Sequence, residues 1–266
     1  MDTDIVRLEI DARGVATATL NRPAVHNAYN LDMLEALILG LEQVAADPQA
    51  RCLVIRGAGR NFQAGADIKW LNGLGRGAFD ANHHASLMTT RAMQRLNEFP
   101  KPTIALIRGA CFGGGCGIVC CVDVALATPD ARFGITEVRV GVAPTPISTH
   151  MVNAIGLRHT RRYALTGETF DAMEAQRIGL VHEVLEESAI EAKLATIVDA
   201  IYRSGPGAMA DTKRSFLLAN NLLLNEGQVG TLSLEGAVRR AGAEGLEGTA
   251  AFAEKRLPSW YIPPPS

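Results

Sequence analysis

The chain has 266 residues, long enough to bury a sizeable core as one large α/β domain or as a core with a smaller appendage. With 47% hydrophobic and 20% charged residues it has the composition of a packed globular protein, which excludes extensive intrinsic disorder. Its 26 basic and 28 acidic residues leave a formal net charge of −2, so no general attraction for nucleic acid or an anionic membrane is supplied and any anionic ligand must be met locally.

The first residues lack the basic flank and unbroken apolar run of a secretory leader, and no segment reaches a membrane-spanning length of apolar residues; a cytoplasmic protein is expected. Two β-like runs, Ile5 to Ile10 and Val15 to Leu20, flank the turn-forming Asp11-Ala12-Arg13-Gly14 and predict a hairpin. Asn30 is placed to cap a helix through Ala46, because Leu34, Leu37, Ile38, Leu41 and Val44 recur at three- and four-residue spacing. A buried strand at Cys52 to Ile55 follows, then a loop from Gly57 to Gly65, a long helix from Asp80 to Asn97 and a strand from Thr103 to Ile107. Short strands are expected at Val122 to Ala127 and Ala131 to Gly134, and helices at Ile147 to Thr166 and Ala172 to Ile178. Strand and helix are interleaved, which favours an α/β class; from Glu187 onward helical patterns dominate, up to the Pro263-Pro264-Pro265 tail.

The five cysteines, Cys52, Cys111, Cys116, Cys120 and Cys121, form no CxxC pair and have no histidines at zinc spacing. They read as reduced packing residues, and no metal is expected. Neither nicotinamide nor flavin is implied, since no strand-linked GxGxxG fingerprint is present.

Two loops leaving buried strands end in runs of tiny residues, Phe62-Gln63-Ala64-Gly65-Ala66-Asp67 and Gly109-Ala110-Cys111-Phe112-Gly113-Gly114-Gly115-Cys116-Gly117. Such runs let a ligand approach the main chain. Gly114 is placed at the head of an apolar helix, where unpaired N–H groups point at an anion, and the Ala66 N–H is the natural second donor to a developing enolate oxygen. A Gly-Gly-Gly run alone is equally well explained by a close helix-to-strand crossing.

The order of segments carries more. Ala64-Gly65-Ala66-Asp67, Gly113-Gly114-Gly115-Cys116, then Phe133-Gly134-Ile135-Thr136-Glu137 and Gly141-Val142-Ala143-Pro144 together resemble the crotonase, or enoyl-CoA hydratase/isomerase, superfamily. The resemblance extends to Asn21-Arg22-Pro23 with Asn27-Ala28, to Leu165-Thr166-Gly167, and to Phe252-Ala253-Glu254-Lys255-Arg256. It implies a spiral of repeated ββα units over residues 1–200 and a helical C-terminal trimerisation segment over 201–266, assembled as a homotrimer or a dimer of trimers. It implies that Ala66 and Gly114 bind the thioester oxygen through their N–H groups and that Glu137 is the catalytic carboxylate. Val25, His26, Ala64, Gly65, Ile68, Lys69, Gly113 and Lys255 match positions that border the CoA moiety. Acyl-CoA is then the substrate and no cofactor is retained.

One position departs from the two-glutamate hydratases of that family, which carry a second glutamate where this chain has Gly117. Glu137 then works alone, as base toward water and as acid toward Cα. The run Glu137 to Pro144 with Ile147-Ser148, and Arg161 to Thr166, resembles bacterial methylglutaconyl-CoA and isohexenylglutaconyl-CoA hydratases, so hydration of a 3-branched glutaconyl-CoA is expected. Such a substrate ends in a second carboxylate, for which Arg139, His83 and His84 are the candidate partners, with Gly117 on the same acyl pocket. Alternatives are a Δ3,Δ2-enoyl-CoA isomerase using the same glutamate, and a non-catalytic binder of CoA esters or of RNA.

Overall fold

The computed structural model describes residues 4–259, so the proline tail lies outside the described residues. The chain opens with the expected hairpin of β1 (Val6–Ile10) and β2 (Val15–Leu20), whose turn is held by Asp11: its carboxylate accepts from the Arg13 and Val15 N–H groups at 2.9 Å each. Helix α1 (Leu31–Ala46) starts at Asn30, whose side-chain oxygen accepts from the Met33 N–H at 3.2 Å, and buries Met33, Leu34, Leu37, Leu41 and Val44. Then come β3 (Cys52–Gly57), α2 (Ile68–Arg76), α3 (Phe79–Asn97), β4 (Thr103–Ile107), β5 (Ala110–Phe112), α4 (Gly114–Cys121), β6 (Val124–Ala127) and β7 (Arg132–Gly134). The second half runs α5 (Ser148–Thr166), β8 (Thr169–Asp171), α6 (Ala172–Arg177), β9 (Glu183–Val184), α7 (Glu187–Tyr202), α8 (Pro206–Ala219), α9 (Glu226–Ala241) and α10 (Ala243–Ala253).

The strands divide between a six-stranded sheet, in the order β1-β2-β3-β4-β6-β9, and a three-stranded sheet, β5-β7-β8. From β4 to β7 the chain alternates between the two, and after β8 it returns to the large sheet at β9, in keeping with the repeated units the resemblance implies. Apart from the β1–β2 hairpin the large sheet is parallel, and both of its faces are covered. Leu53, Ile55, Ala105 and Ile107 face the main core with α1, α3 and α4, while Cys52, Val54, Ile104 and Leu106 turn to the other side and meet Ile190, Leu194 and Val198 of α7. All five cysteines are free and buried, and burial pushes the Cys111 and Cys120 thiols up.

Several boundaries differ from the sequence reading for local reasons. The strand expected from Val122 begins at Val124, because α4 runs to Cys121 and the Asp123 carboxylate is tied to the Thr103 N–H at 2.8 Å. Helix α5 starts one residue late, after a 3₁₀ turn over Thr145–Ile147, and is broken at Gly156, where φ is 71°. Helix α2 is an addition: Gly73 and Gly75 lower its intrinsic propensity, yet Asp67 caps it and α10 packs on it. The C-terminal helices differ among themselves. Helix α9 lies along α3 and α10 along α2, whereas α8 buries none of its residues and leaves Phe216 70% exposed.

Candidate active site

The loop between β3 and α2 is held as a short extra strand. Tyr29 bridges it in parallel, donating to the Gly65 carbonyl at 2.9 Å and accepting from the Asp67 N–H at 2.8 Å. On its other edge Gln63 bridges Cys111: the Gln63 N–H donates to the Ala110 carbonyl at 3.0 Å and the Phe112 N–H donates to the Gln63 carbonyl at 2.9 Å. The buried Asn27, at φ 57°, ties this loop to the N-terminal segment, its amide reaching the Ala58, Asn61 and Phe62 carbonyls. Arg22 closes the same corner, donating to the Ala28 carbonyl at 2.5 Å and pairing with Asp67 at 3.1 Å, while Asp67 also caps α2. These contacts account for the Asn21-Arg22-Pro23 and Asn27-Ala28 motifs: they fix where Ala64, Gly65 and Ala66 lie.

The bridge to Tyr29 uses the groups of Gly65 and Asp67 and leaves the Ala66 N–H without an acceptor among the described residues. Gly114, the first residue of α4, has no preceding turn to accept from its N–H. No Cβ fits at this crossing. One on Gly114 would stand 2.5 Å from the Tyr29 ring, one on Gly115 2.5 Å from the Gln63 carbonyl oxygen, and Gly113 has φ 51° with Glu137 Oε1 2.9 Å from where its Cβ would be. The run of glycines is required both by the close crossing and by backbone conformation.

Glu137 heads a 3₁₀ turn, Glu137–Val140, directly after β7. Its Oε2 is shut off from solvent and has no hydrogen-bond partner among the described residues. Burial pushes the carboxyl up to about 7, opposed only by its own backbone N–H. Tyr29 is pushed up to about 12 by burial, with Arg240 and Thr89 pulling it down and the Glu137 charge adding to the rise, so its hydroxyl stays protonated.

Ala66, Gly114, Glu137 and Tyr29 line one cavity of about 470 Å³. Of the sequence-predicted residues Ala64, Gly65, Ile68, Gly113 and Arg139 line it too. Glu137 is the only carboxylate on its wall among the described residues. Two main-chain donors and a carboxyl that titrates near neutrality can hold a carbonyl oxygen while a proton is taken up and returned beside it.

The remaining predicted positions lie off this wall. Val25 and His26 are exposed on the Arg22–Asn27 turn, where the His26 ring meets the Asn61 amide at 2.9 Å and its carbonyl accepts from the Ala64 N–H. Lys69 is exposed on the first turn of α2, and Lys255 is exposed just past α10. Gly117 is set back behind Ile147, whose side chain takes the wall; a Cβ on Gly117 would come within 2.5 Å of it. The two histidines expected on the acyl pocket turn elsewhere on α3: His83 is half-buried and stacks on Phe79 with centroids 6.2 Å apart, and His84 is exposed. Arg139, the acyl-pocket candidate that does line the cavity, is exposed and packs against Gly167.

Sequence reasoning missed Arg240, a guanidinium only 6% exposed that lines the cavity from α9. A signal for it exists in the pattern Val229, Ser233, Gly236, Ala237, Arg240, which repeats at helical spacing and is buried throughout.

The family model for enoyl-CoA hydratase/isomerase matches residues 11–262. Among curated proteins, the chain is 32% identical to the 2,3-dehydroadipyl-CoA hydratase of Escherichia coli over 249 residues, covering 92% of this chain and 94% of that one. Among solved structures, an enoyl-CoA hydratase from Mycobacterium avium superposes with a TM-score of 0.86 at 32% identity, covering 98% of this chain and 100% of that one. Pseudomonas aeruginosa AtuE does so with a TM-score of 0.77 at 38% identity, over 96% and 99%. Match over nearly the full length, in sequence and in fold, shows that the chain belongs to the enoyl-CoA hydratase/isomerase family, the crotonases, and is an enzyme acting on acyl-CoA thioesters.

Proposed function

We propose that the protein adds water across the α,β-double bond of a 2-enoyl-CoA, with the thioester oxygen held by the Ala66 and Gly114 N–H groups and Glu137 moving the protons. Ionised Glu137 takes a proton from water as the water oxygen bonds to Cβ; the Cα–Cβ π pair shifts toward the thioester, giving an enolate whose oxygen the two amides stabilise. Collapse of the enolate then takes the proton from Glu137 to Cα, and the product is the 3-hydroxyacyl thioester. The observation that carries this reading is the lone carboxyl on the cavity wall, raised to about 7, beside the glycine-built start of α4.

The substrate we favour is a 3-branched glutaconyl-CoA, 3-methylglutaconyl-CoA or isohexenylglutaconyl-CoA, hydrated to a tertiary alcohol. Support comes from the likeness of the Glu137–Pro144 segment to such hydratases and from the Escherichia coli relative, whose named substrate is also the thioester of a diacid. Val25, His26, Ala64, Gly65, Ile68, Lys69 and Gly113 would border the CoA moiety, and Lys255 would add a phosphate contact in its own or a neighbouring subunit. Assembly as a trimer or a dimer of trimers would cover the exposed apolar side chains of α8.

A single carboxyl also suits transfer of a proton between the α- and γ-carbons, so Δ3,Δ2-isomerisation is the second reading. Offering straight, 3-methyl and 3-carboxymethyl 2-enoyl thioesters together with a 3-enoyl thioester separates the two. Hydration predicts a product heavier by one water from the branched diacid thioester. Conversion of the 3-enoyl to the 2-enoyl form, with no water gained from any of the panel, would reject it.

A further inference from the structure

Arg240 sits in the seam where α9 crosses α3, and its partners there are all neutral. Its Nη1 donates to the Asn82 carbonyl at 3.3 Å and to Asn82 Oδ1 at 2.5 Å, and its Nη2 donates to Ser86 Oγ at 3.0 Å. The Nε–H is buried without any partner, and among the described residues no carboxylate lies within ion-pair distance of the group. A guanidinium cannot shed its proton to escape such a site, as a lysine or histidine would. An uncompensated buried charge is unfavourable, and its retention calls for an anion that arrives with a ligand.

The position is also held rigidly. The Arg240 carbonyl is packed between α2 and α10: a Cβ on Gly75 would lie 3.1 Å from it, and one on Gly245 2.5 Å. The side chain lines the same cavity as Glu137. Tyr29, Glu137 and Arg240 line the same cavity, and Arg240 and Glu137 are not ion-paired among the described residues.

We infer that Arg240 receives a carboxylate at the far end of the acyl chain, so that the cavity selects monothioesters of dicarboxylic acids. The inference rests on reading this cavity as the acyl site. It moves the anion-binding role from His83 and His84, which lie off the cavity wall, and from Arg139, which lines it but is exposed, to a buried guanidinium on that wall that has no carboxylate partner among the described residues. The protonated Tyr29 hydroxyl and Thr89 line the same cavity and can add donors.

Two saturated thioesters test this without any reaction: 3-methylglutaryl-CoA and isovaleryl-CoA share the branched chain and differ in the terminal carboxylate, and free CoA serves as the third ligand. By calorimetry the parent protein is expected to bind the diacid thioester on the order of 30-fold more tightly than isovaleryl-CoA, with Arg240→Gln losing that margin and keeping isovaleryl-CoA and free CoA within about threefold. Arg240→Lys, which keeps charge but loses the fork, should retain part of it. A parent that shows no preference overturns the proposal, and this arm needs no variant that must fold. Equal weakening of free CoA in Arg240→Gln would assign the guanidinium to the nucleotide phosphates, and loss of preference in Arg139→Gln alone would assign the carboxylate to Arg139; either overturns it. Because neither acyl group carries a double bond, an intact preference in a protein that fails to hydrate would count against the proposed reaction and leave Arg240 standing.

Discussion

The cavity wall is built from two kinds of material. The first is main chain, the proposed donor amides of Ala66 and Gly114, and its neighbourhood is defined by the side chains it cannot hold: a methyl group at residue 113, 114 or 115 meets Glu137, Tyr29 or Gln63 within 3 Å. The second is a side chain, Arg240 from α9, held in a helix seam by Asn82 and Ser86 of α3. A main-chain cradle treats every thioester carbonyl alike, whereas a charged side chain can discriminate among acyl groups. On the proposed reading, reaction class belongs to the first group and choice of acyl chain to the second.

Removing the carboxyl that serves the cradle should have the largest effect. Glu137→Gln is expected to lower kcat by about 10³- to 10⁴-fold while CoA-thioester affinity is kept, measured by steady-state rates and calorimetry. Stability should move the other way. A carboxyl raised to about 7 in the fold favours the folded state fully below its unfolded value and loses that advantage as pH rises toward 7, so above pH 7 the parent carries a penalty that glutamine lacks. The variant should melt higher than the parent at pH 8. A variant that turns over normally would remove Glu137 from the reaction.

Next is the cradle itself. Gly114→Ala sets a methyl 2.5 Å from the Tyr29 ring, and Gly113→Ala puts one 2.9 Å from Glu137 Oε1 at a φ of 51° that alanine resists. Each should cost about 10²- to 10³-fold in kcat with a smaller change in KM, as loss of one oxyanion donor does. If Gly114→Ala folds and keeps its rate, the α4 N-terminus holds no thioester oxygen.

The same contrast explains what could be read from the sequence. Main-chain chemistry leaves a local trace, because a backbone donor near a ligand requires residues without bulk, and Ala64-Gly65-Ala66 and Gly113-Gly114-Gly115 show that requirement directly. The strands and helices with strong periodicity, such as α1, β3 and β4, were equally visible. Arg240 left a fainter trace, its place on the Val229-Ser233-Gly236-Ala237 face of α9: it follows Arg239, which is exposed and pairs with Glu244 at 3.1 Å, and residue type alone does not tell the two arginines apart. The histidines at 83 and 84 drew attention by residue type, yet α3 presents Asn82, Ser86 and Thr89 inward instead. Strands β5, β8 and β9 have three residues or fewer and owe their existence to ladder partners distant in sequence.

A pH profile sharpens the comparison from the cradle side. If ionised Glu137 is the base, kcat/KM for hydration should rise about tenfold per pH unit and level off near pH 7, following the raised carboxyl. A profile flat from pH 5 to 8 would break that assignment. Arg240 has no role in this limb, since its guanidinium stays charged throughout.

His150 offers the smallest and most diagnostic test, because it is the buried basic group that took the other way out. Only 1% exposed on α5, with neither ring nitrogen hydrogen-bonded, it is pushed down to about 4 by burial and so is neutral where Arg240 must remain charged. In the unfolded chain the same imidazole takes up a proton near 6.5, so between pH 6.5 and 4 the unfolded state binds more protons and stability falls as pH falls. The cost at pH 5.5 is on the order of 1 kcal/mol, and His150→Met should flatten the acid limb of melting temperature against pH by that amount. Arg240→Met should leave the slope of that limb as it is and raise or lower the whole curve, because a guanidinium binds its proton in both states. An acid limb unchanged by His150→Met would mean that the ring keeps its proton on folding, and burial alone would then not suffice to strip charge from this interior.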